Sequence, residues 1–261
     1  ADFVELMAKN SVELYGLSPA NEPDYTAEWD GAQWSGDELT TFIAENLGPT
    51  FKDRFPKVKL IAPDTAALPN LDSYVTPLLD NADAKDYVSI IATHPYSGDA
   101  MKDYDKPQKN DKGFWQTEWS QENKEDGDTP APTMKSAIDM MKNMHNHLTN
   151  LNMSAWNWWA IYISPAALKD ADKEKIRQNP ALIQPDETME ESYMFKRGYA
   201  LGHWSKFVRP GFKRIGATDE PVEGVLIEAY RDDEERIVLT AINTNSDART
   251  LKFAVEGGSF G

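Results

Sequence analysis

Two glutamates stand out because each one ends a predominantly apolar, strand-like run of the sequence. Glu22 closes the run that begins at Val12, and Glu118 closes the run that begins at Gly113. Most of the 43 aspartates and glutamates must be solvated surface acids, but these two lie at predicted strand ends beside aromatic residues. Two carboxyl groups about 5–5.5 Å apart cleave a sugar–sugar bond with retention, one as acid/base and one as nucleophile. The pattern therefore predicts Glu22 and Glu118 as a catalytic pair.

The segments before residue 210 alternate between strand-like and helix-like patterns. Short apolar runs predict strands at 12–18, 58–62, 87–94, 113–118 and 153–159. Apolar residues at helical spacing predict helices at 2–10, 36–47, 72–82, 132–149 and 191–206. Strands of this kind alternating with helices indicate a parallel sheet that is covered on both faces.

The pattern changes after Pro210, where polar and apolar residues alternate. This alternation predicts antiparallel strands at 212–215, 225–230, 236–243 and 250–255. We therefore expect two domains, an α/β domain over 1–209 and a β side domain over 210–261.

The number of strand–helix units bounds the architecture. We count five units between residues 12 and 206, whereas a closed (β/α)₈ barrel needs eight. The predicted fold is α/β, the C-terminal part (about strands 4–8) of a TIM barrel with an appended side domain, incomplete at both ends. An open barrel exposes strand edges, so we expect a missing N-terminal segment or a second copy of the chain to complete it.

Composition narrows the classes of partner. A formal net charge of −16 disfavours nucleic acid and anionic membranes as partners, and it suits a neutral polymer better. The chain has no cysteine, and no apolar stretch is long enough to cross a bilayer. We expect no cofactor and no metal, since His145, His147 and His203 lie on predicted helices without ligand spacing. The chain opens at Ala1, so an export signal can lie upstream, and we expect a secreted protein.

Several stretches resemble glycoside hydrolase family 30, especially its xylanase and glucuronoxylanase branch. The matching stretches are 15–25 (YGLSPANEPDY), 30–34 (DGAQW), 61–64 (IAPD), 117–120 (TEWS), 156–159 (WNWW) and 196–218 (KRGYALGHWSKFVRPGFKRIGAT). The resemblance implies a barrel whose fourth strand carries the acid/base and whose seventh carries the nucleophile. Glu22 then takes the first role and Glu118 the second, in a retaining endo-glycosidase that acts on xylan.

The resemblance also implies polar residues that bind the sugar. Asn21 resembles the residue that bonds the sugar 2-hydroxyl, and the less favoured alternative is a turn residue before Pro23. His94 and Tyr96 end the third predicted strand of this chain and resemble residues that orient the nucleophile and the sugar. A lone histidine at a strand end is also common as a satisfied core residue.

Aromatic residues are the candidates for stacking on the sugar ring. Trp156 and Trp158 fall on one face of the last predicted strand, because side chains alternate along a strand, and Trp159 then points outward. Weaker candidates, each of which can equally be loop packing, are Tyr25, Trp34 and Trp119.

The sequence also departs from the glucuronoxylanase pattern. Residues 160–165 contain no arginine, the side chain expected to clamp a glucuronic acid branch. Ser120 stands where a tyrosine is usual, and Lys124 offers only a point charge. We therefore expect that cleavage of xylan does not require glucuronosyl branches. The polar segment 164–188 fits either a lid or a solvated insertion, and the acidic segment 122–129 fits a solvated loop.

Three functions stay open at this point. The leading one is a retaining endo-glycosidase acting on β-1,4-xylan or a related β-linked plant polysaccharide. A second is another specificity of the same family, such as a β-glucosidase or a β-1,6-glucanase. The third is a catalytically inactive, carbohydrate-binding fragment.

Overall fold

The computed structural model describes residues 1–28, 31–100, 104–120, 133–162, 181–185 and 190–256. The chain forms two compact units. The first comprises Ala1–Ala131 and Asn146–Tyr193, and the second comprises Pro132–His145 and Met194–Gly261. The predicted domain boundary at residue 209 stays a prediction.

A five-stranded parallel sheet forms the first unit, with its strands in chain order. The strands are β1 (Gly16–Leu17), β2 (Lys59–Ala67), β3 (Val88–Ser97), β4 (Gly113–Gln116) and β5 (Ala155–Trp156). All five predicted strands are therefore confirmed. β1 and β5 are shorter than the predicted 12–18 and 153–159, because their backbone ladders with β2 and β4 extend over two residues only.

Helices connect these strands. They are α1 (Asp2–Lys9), α2 (Gly36–Phe42), α3 (Gly48–Arg54), α4 (Leu71–Asp80), α5 (Ala82–Tyr87), α6 (Lys106–Lys109) and α7 (Met134–Asn150). A π-helical stretch, Ile43–Leu47, joins α2 to α3, and a 3₁₀ turn, Leu68–Asn70, precedes α4. Helix α2 begins at a capping box, in which the Ser35 hydroxyl accepts from the amide of Glu38 and the Glu38 carboxylate accepts from the amide of Ser35. No helix of the described ranges is long and apolar enough to cross a membrane.

Apolar side chains cover both faces of the sheet. On one face, residues of α2 and α4 such as Leu39 and Leu78 pack with Ile91 and Phe114 in the main core. On the other face, Ile61, Ile90 and Ala92 form a smaller cluster against Trp115. The continuous apolar runs that predicted the strands follow from this burial on both sides.

The sheet curls toward the face that carries Trp115. The ring of Tyr15, just before β1, stacks on the ring of Trp115 of β4 with centroids 5.7 Å apart and an interplanar angle of 10°. Strands β2 and β3 lie between them, and in a flat sheet β1 and β4 would be about 14 Å apart. The stacked pair therefore requires strong curvature, as in an arc of a barrel.

The second unit contains an antiparallel sheet of three strands in the order β10–β9–β8. These strands are β8 (Lys213–Ile215), β9 (Val225–Arg231) and β10 (Ile237–Asn243), and helix α8 (Lys196–Ser205) precedes them. A further two-stranded sheet joins β6 (Ile183–Pro185) and β7 (Ser192–Met194), whose residues up to Tyr193 belong to the first unit.

Two sequence predictions in this region are wrong. The strand predicted at 250–255 is irregular; its residues 251–255 line a cavity of about 590 Å³ with Ile227 and Leu239 of the sheet face instead of joining a ladder. The helix predicted from 191 begins at Lys196, because residues 192–194 pair as β7 and Phe195 is extended with φ −73° and ψ 165°. The predictions for 122–129, for Lys124 and for most of 164–188 fall outside the described residues.

Candidate active site

Glu22 lies in the loop after β1, at the end of the sheet where the strands finish. Its amide donates to the carbonyl oxygen of Asp64 at 3.0 Å, and its own carbonyl accepts from the amide of Tyr25 at 3.0 Å. The carboxylate of Asp24 accepts from the amides of Ala66 and Ala67 at 2.7 and 3.3 Å. The loop that carries Glu22 is therefore fixed to the end of β2.

Glu118 follows β4 by two residues and reaches the same edge of the sheet. The amide of Thr117 donates to the carbonyl oxygen of Thr93 at 3.3 Å, which continues the β3–β4 ladder up to the glutamate. The hydroxyl of Tyr96 donates to Glu118 Oε1 at 2.9 Å. Because β1 and β4 are parallel members of one curled sheet, their following residues meet at the carboxyl edge, where TIM-barrel active sites lie.

His94 of β3 stands between the two glutamates. Its Nδ1 lies 3.0 Å from Glu22 Oε1 and 4.0 Å from Glu118 Oε1, and its Nε2 lies 3.3 Å from Asp64 Oδ1. One carboxylate oxygen of each glutamate and a ring nitrogen of His94 lie within 4.8 Å of one another. This convergence matches the separation of about 5–5.5 Å that a retaining carboxylate pair requires.

The electrostatics of the site follow from burial and from these carboxylates. Burial of His94 works to lower its pKa, but hydrogen bonds to Asp64 and Glu22 outweigh burial and raise the pKa to about 9. Burial raises the pKa of the Tyr96 phenol, and the charge of Glu118 raises it further. Tyr96 is therefore a hydrogen-bond donor throughout the physiological pH range.

The sequence reasoning missed Asp64. Its side chain contacts His94 and accepts the hydroxyl proton of Thr117, and its carbonyl holds Glu22. One signal was present, because Asp64 follows the apolar run 58–62 after Pro63, as each glutamate follows an apolar run of its own.

Three tryptophans form an aromatic cluster next to Glu118. Trp119 lies 5.5 Å from Trp158 and 6.1 Å from Trp156, and Trp156 and Trp158 are 6.1 Å apart. Trp156 and Trp158 therefore lie on a common side, as predicted, and Trp159 is 48% exposed, whereas its outward orientation stays a prediction. The indole N–H of Trp156 donates to Nδ1 of His147 at 3.2 Å.

The remaining predicted site residues lie around the loop of Glu22. Asn21 and Tyr25 are exposed on either side of Glu22. Trp34 packs its ring on Phe42 with centroids 5.3 Å apart, and its carbonyl accepts from the hydroxyl of Tyr74. The sugar-binding roles of Asn21, Tyr25 and Trp34 stay predictions.

Among the described residues, one group of side chains has the geometry to hold a metal ion, namely Glu22, His94 and Glu118. The helical histidines have other contacts, since His145 Nδ1 lies 2.9 Å from Glu228 Oε1 and His147 binds Trp156. Burial lowers the pKa of His147 to about 4, so this ring is neutral at physiological pH. The expected absence of a metal stays a prediction.

The five parallel strands form part of a TIM barrel, and the carboxylates of the site lie at the carboxyl ends of these strands. The model of the family described as "Glycosyl hydrolase family 30 TIM-barrel domain" matches residues 1–208. The chain belongs to glycoside hydrolase family 30.

Similar proteins support this assignment. Glucuronoxylanase XynC of Bacillus subtilis (strain 168) is 32% identical over 99% of this chain and 54% of that protein. Among solved structures, the GH30 endoxylanase of Clostridium papyrosolvens C71 is 28% identical, with a TM-score of 0.73 over 98% of this chain and 57% of that chain. The subfamily 8 xylanase Xyn30A of Clostridium acetobutylicum is 27% identical, with a TM-score of 0.73 over 94% of this chain and 54% of that chain. The chain therefore spans about half the length of these relatives.

Proposed function

We propose that this chain carries the active site of a retaining glycosidase, with Glu118 as the nucleophile and Glu22 as the acid/base. The observation that carries the proposal is the convergence of Glu22, His94 and Glu118 within 4.8 Å at the carboxyl edge of the sheet. A separation this short favours the retaining arrangement over the inverting one, in which the carboxyl groups are about 6.5–9.5 Å apart.

The reaction proceeds in two displacements. In the first, a carboxylate oxygen of Glu118 bonds to the anomeric carbon while the bond to the leaving oxygen breaks, and Glu22 gives its proton to that oxygen. In the second, Glu22 takes a proton from water, and the water oxygen displaces Glu118 from the anomeric carbon. Tyr96 donates to Glu118 Oε1 and so keeps the nucleophile oriented in its charged form.

For the substrate we propose β-1,4-xylan or a related β-linked polysaccharide. The relatives named glucuronoxylanase and endoxylanase support this class, and the cluster of Trp119, Trp156 and Trp158 offers apolar surface beside Glu118 for the C–H face of a sugar ring. Residues 160–165 lack an arginine to clamp a carboxylate branch. Hence we propose that glucuronosyl branches are not required. Since such polymers do not enter cells, the site of action is extracellular.

A partial barrel has open strand edges that another segment of protein must cover. We propose that further residues of a longer protein, or a second copy of this chain, complete the barrel over the open strand edges. Light scattering of this chain distinguishes these options, because a stable monomer contradicts the second-copy form.

The decisive experiment is hydrolysis of linear xylan and of glucuronoxylan by the chain, with the anomer of the first product followed by proton NMR. Retention of configuration is expected, with activity lost in Glu118→Gln. The matched control is Glu13→Gln, an exposed glutamate whose change leaves activity intact. Inversion, or full activity in Glu118→Gln, would overturn the proposal, and strict dependence on glucuronoxylan would overturn its specificity.

A further inference from the structure

Asp64 occupies an irregular position in β2. Pro63 pairs with Ala92 and Thr65 pairs with Thr93, so the ladder between β2 and β3 shifts at Asp64 and leaves it no opposite residue. Its φ is 66°, a value that non-glycine residues adopt rarely and that concentrates at functional sites. A bulge of this kind re-aims a side chain, and here the carboxylate lies at Nε2 of His94.

The contacts of Asp64 join every segment that carries a proposed catalytic group. Its carbonyl oxygen accepts from the amide of Glu22 at 3.0 Å. Its Oδ1 lies 3.3 Å from His94 Nε2 and accepts from the hydroxyl of Thr117, the residue before Glu118. The side chain of Asp64 is about nine-tenths buried and that of His94 is almost fully buried, at 10% and 2% exposure. Water therefore competes little for the bond between them.

This geometry determines where the protons of the imidazole lie. A carboxylate accepts only, so His94 Nε2 must carry a proton to bond Asp64. Nδ1 is then the nitrogen that faces Glu22 Oε1 at 3.0 Å, and one proton can reside on either atom of that pair. A histidine held by a carboxylate on one nitrogen presents a fixed tautomer and a more basic second nitrogen.

We propose that Asp64 is a positioning residue that, through His94, keeps a proton available to Glu22 and sets the pH up to which the acid/base can deliver it. The inference rests on the proposed role of Glu22. The charged and titratable groups that face His94 are Glu22 after β1, Asp64 on β2, Tyr96 on β3 and Glu118 after β4. Three carboxylates surround one imidazole, and only Asp64 bonds the nitrogen that points away from the glutamate pair.

The test measures the protonation of His94 directly and needs no turnover. The chain has four histidines, so nitrogen-15 NMR of the imidazoles with a His94→Gln spectrum assigns the His94 signals. In Asp64→Asn, which keeps the shape of the side chain, we expect the titration midpoint of His94 to fall by at least about one pH unit. An unchanged midpoint would overturn the inference.

Two further variants separate positioning from a general structural effect. Asp24→Asn makes the same chemical change at the neighbouring loop anchor, which contacts the amides of Ala66 and Ala67 rather than His94, so the midpoint of His94 should stay in place. Thr117→Val removes the hydroxyl that shares Oδ1 of Asp64 and should raise the midpoint. A lower titration midpoint of His94 in Thr117→Val contradicts the inference, even if Asp64→Asn fails to fold. A midpoint that falls by about one pH unit in Asp24→Asn contradicts it as well.

A pH profile of hydrolysis keeps this inference distinct from the proposed function. In Asp64→Asn the basic limb of kcat/KM should move to lower pH by about one unit. Hydrolysis with an unmoved basic limb overturns the role of Asp64 and leaves the glycosidase proposal standing. Absence of hydrolysis by the completed barrel, with a displaced His94 midpoint, overturns the glycosidase proposal and supports the control of His94 by Asp64.

Discussion

The two units each contain a cluster built on a histidine and a glutamate, and the clusters differ in what surrounds that pair. In the second unit, His145 Nδ1 lies 2.9 Å from Glu228 Oε1. The indole N–H of Trp204 donates to Glu228 Oε2 at 3.2 Å, and the hydroxyl of Tyr230 donates to the same oxygen. All four side chains are buried. We call these four residues the sealed cluster.

The site of the first unit has the opposite balance of charge and access. Three carboxylates surround the single imidazole of His94, namely those of Glu22, Asp64 and Glu118. The side chain of Glu118 is 26% exposed. In the sealed cluster, the carboxylate of Glu228 accepts hydrogen bonds from several donors and is buried from solvent. Such an arrangement is typical of a hydrogen-bonded network in a protein core. A His–Glu pair alone therefore does not identify an active site. The site of the first unit differs from the sealed cluster in having three carboxylates around one histidine and a glutamate that solvent reaches.

The largest effect is expected from removing the carboxyl group of Glu22, the proposed acid/base. Glu22→Gln cannot donate a proton, so kcat/KM on xylan should fall by roughly 10²–10⁴-fold, the contribution of general acid–base catalysis. An aryl glycoside with a good leaving group needs less protonation and should lose less in its first displacement. The comparison variant is Glu228→Gln in the sealed cluster, whose activity per folded molecule should equal that of the wild type. A lower activity per folded molecule would break the distinction between the clusters.

The sealed cluster should instead make a large contribution to the free energy of unfolding. Glu228→Ala leaves the donors of His145, Trp204 and Tyr230 buried without their acceptor, so the free energy of unfolding should fall by about 3–5 kcal/mol. Denaturant unfolding followed by circular dichroism measures the loss. Glu234→Ala, at an exposed turn, is the control and should change little. Equal losses in the two variants would show that the sealed cluster contributes no more than a surface pair.

A Tyr96 variant tests how much the hydrogen bond to Glu118, the proposed nucleophile, contributes to activity. Tyr96→Phe removes the hydroxyl that donates to Glu118. A hydrogen bond to a charged group contributes about 1.5–3 kcal/mol, so kcat/KM should fall roughly 10–100-fold. Tyr199→Phe, an exposed tyrosine of α8, provides the matched control. If Tyr96→Phe keeps full activity, the bond to Glu118 has no part in catalysis.

The last expected effect is a pH dependence of stability that arises from His94. Its pKa is raised to about 9 in the folded chain, against about 6.5 for an unfolded histidine. Its stabilising contribution is therefore complete below about pH 6.5 and is lost as the pH rises through 9. Unfolding measured at several pH values should show this decline in the wild type and in His203→Gln, an exposed histidine. An identical decline in His94→Gln would contradict the assignment.

Local patterns in the sequence predicted most of the fold and the strand ends from which Glu22 and Glu118 meet. The apolar runs before Glu22 and Glu118 are local signals, and the parallel sheet brings their ends together. The position of Asp64 depends on a shift in register between β2 and β3, which local composition does not encode. The strand predicted at 250–255 fails for a related reason, since alternation indicates a face to bury and does not provide a neighbouring strand.

The stacked rings of Tyr15 and Trp115 give the curved sheet an optical signature. Parallel rings with centroids 5.7 Å apart couple their electronic transitions, which produces a near-ultraviolet dichroic band. The Lys59 ammonium lies 4.6 Å from the centre of the Tyr15 ring and adds a fixed charge to that environment. Flattening of the sheet would separate the rings before any strand unpaired. The part of this band that is lost in Tyr15→Leu therefore reports the curvature of the sheet separately from its secondary structure.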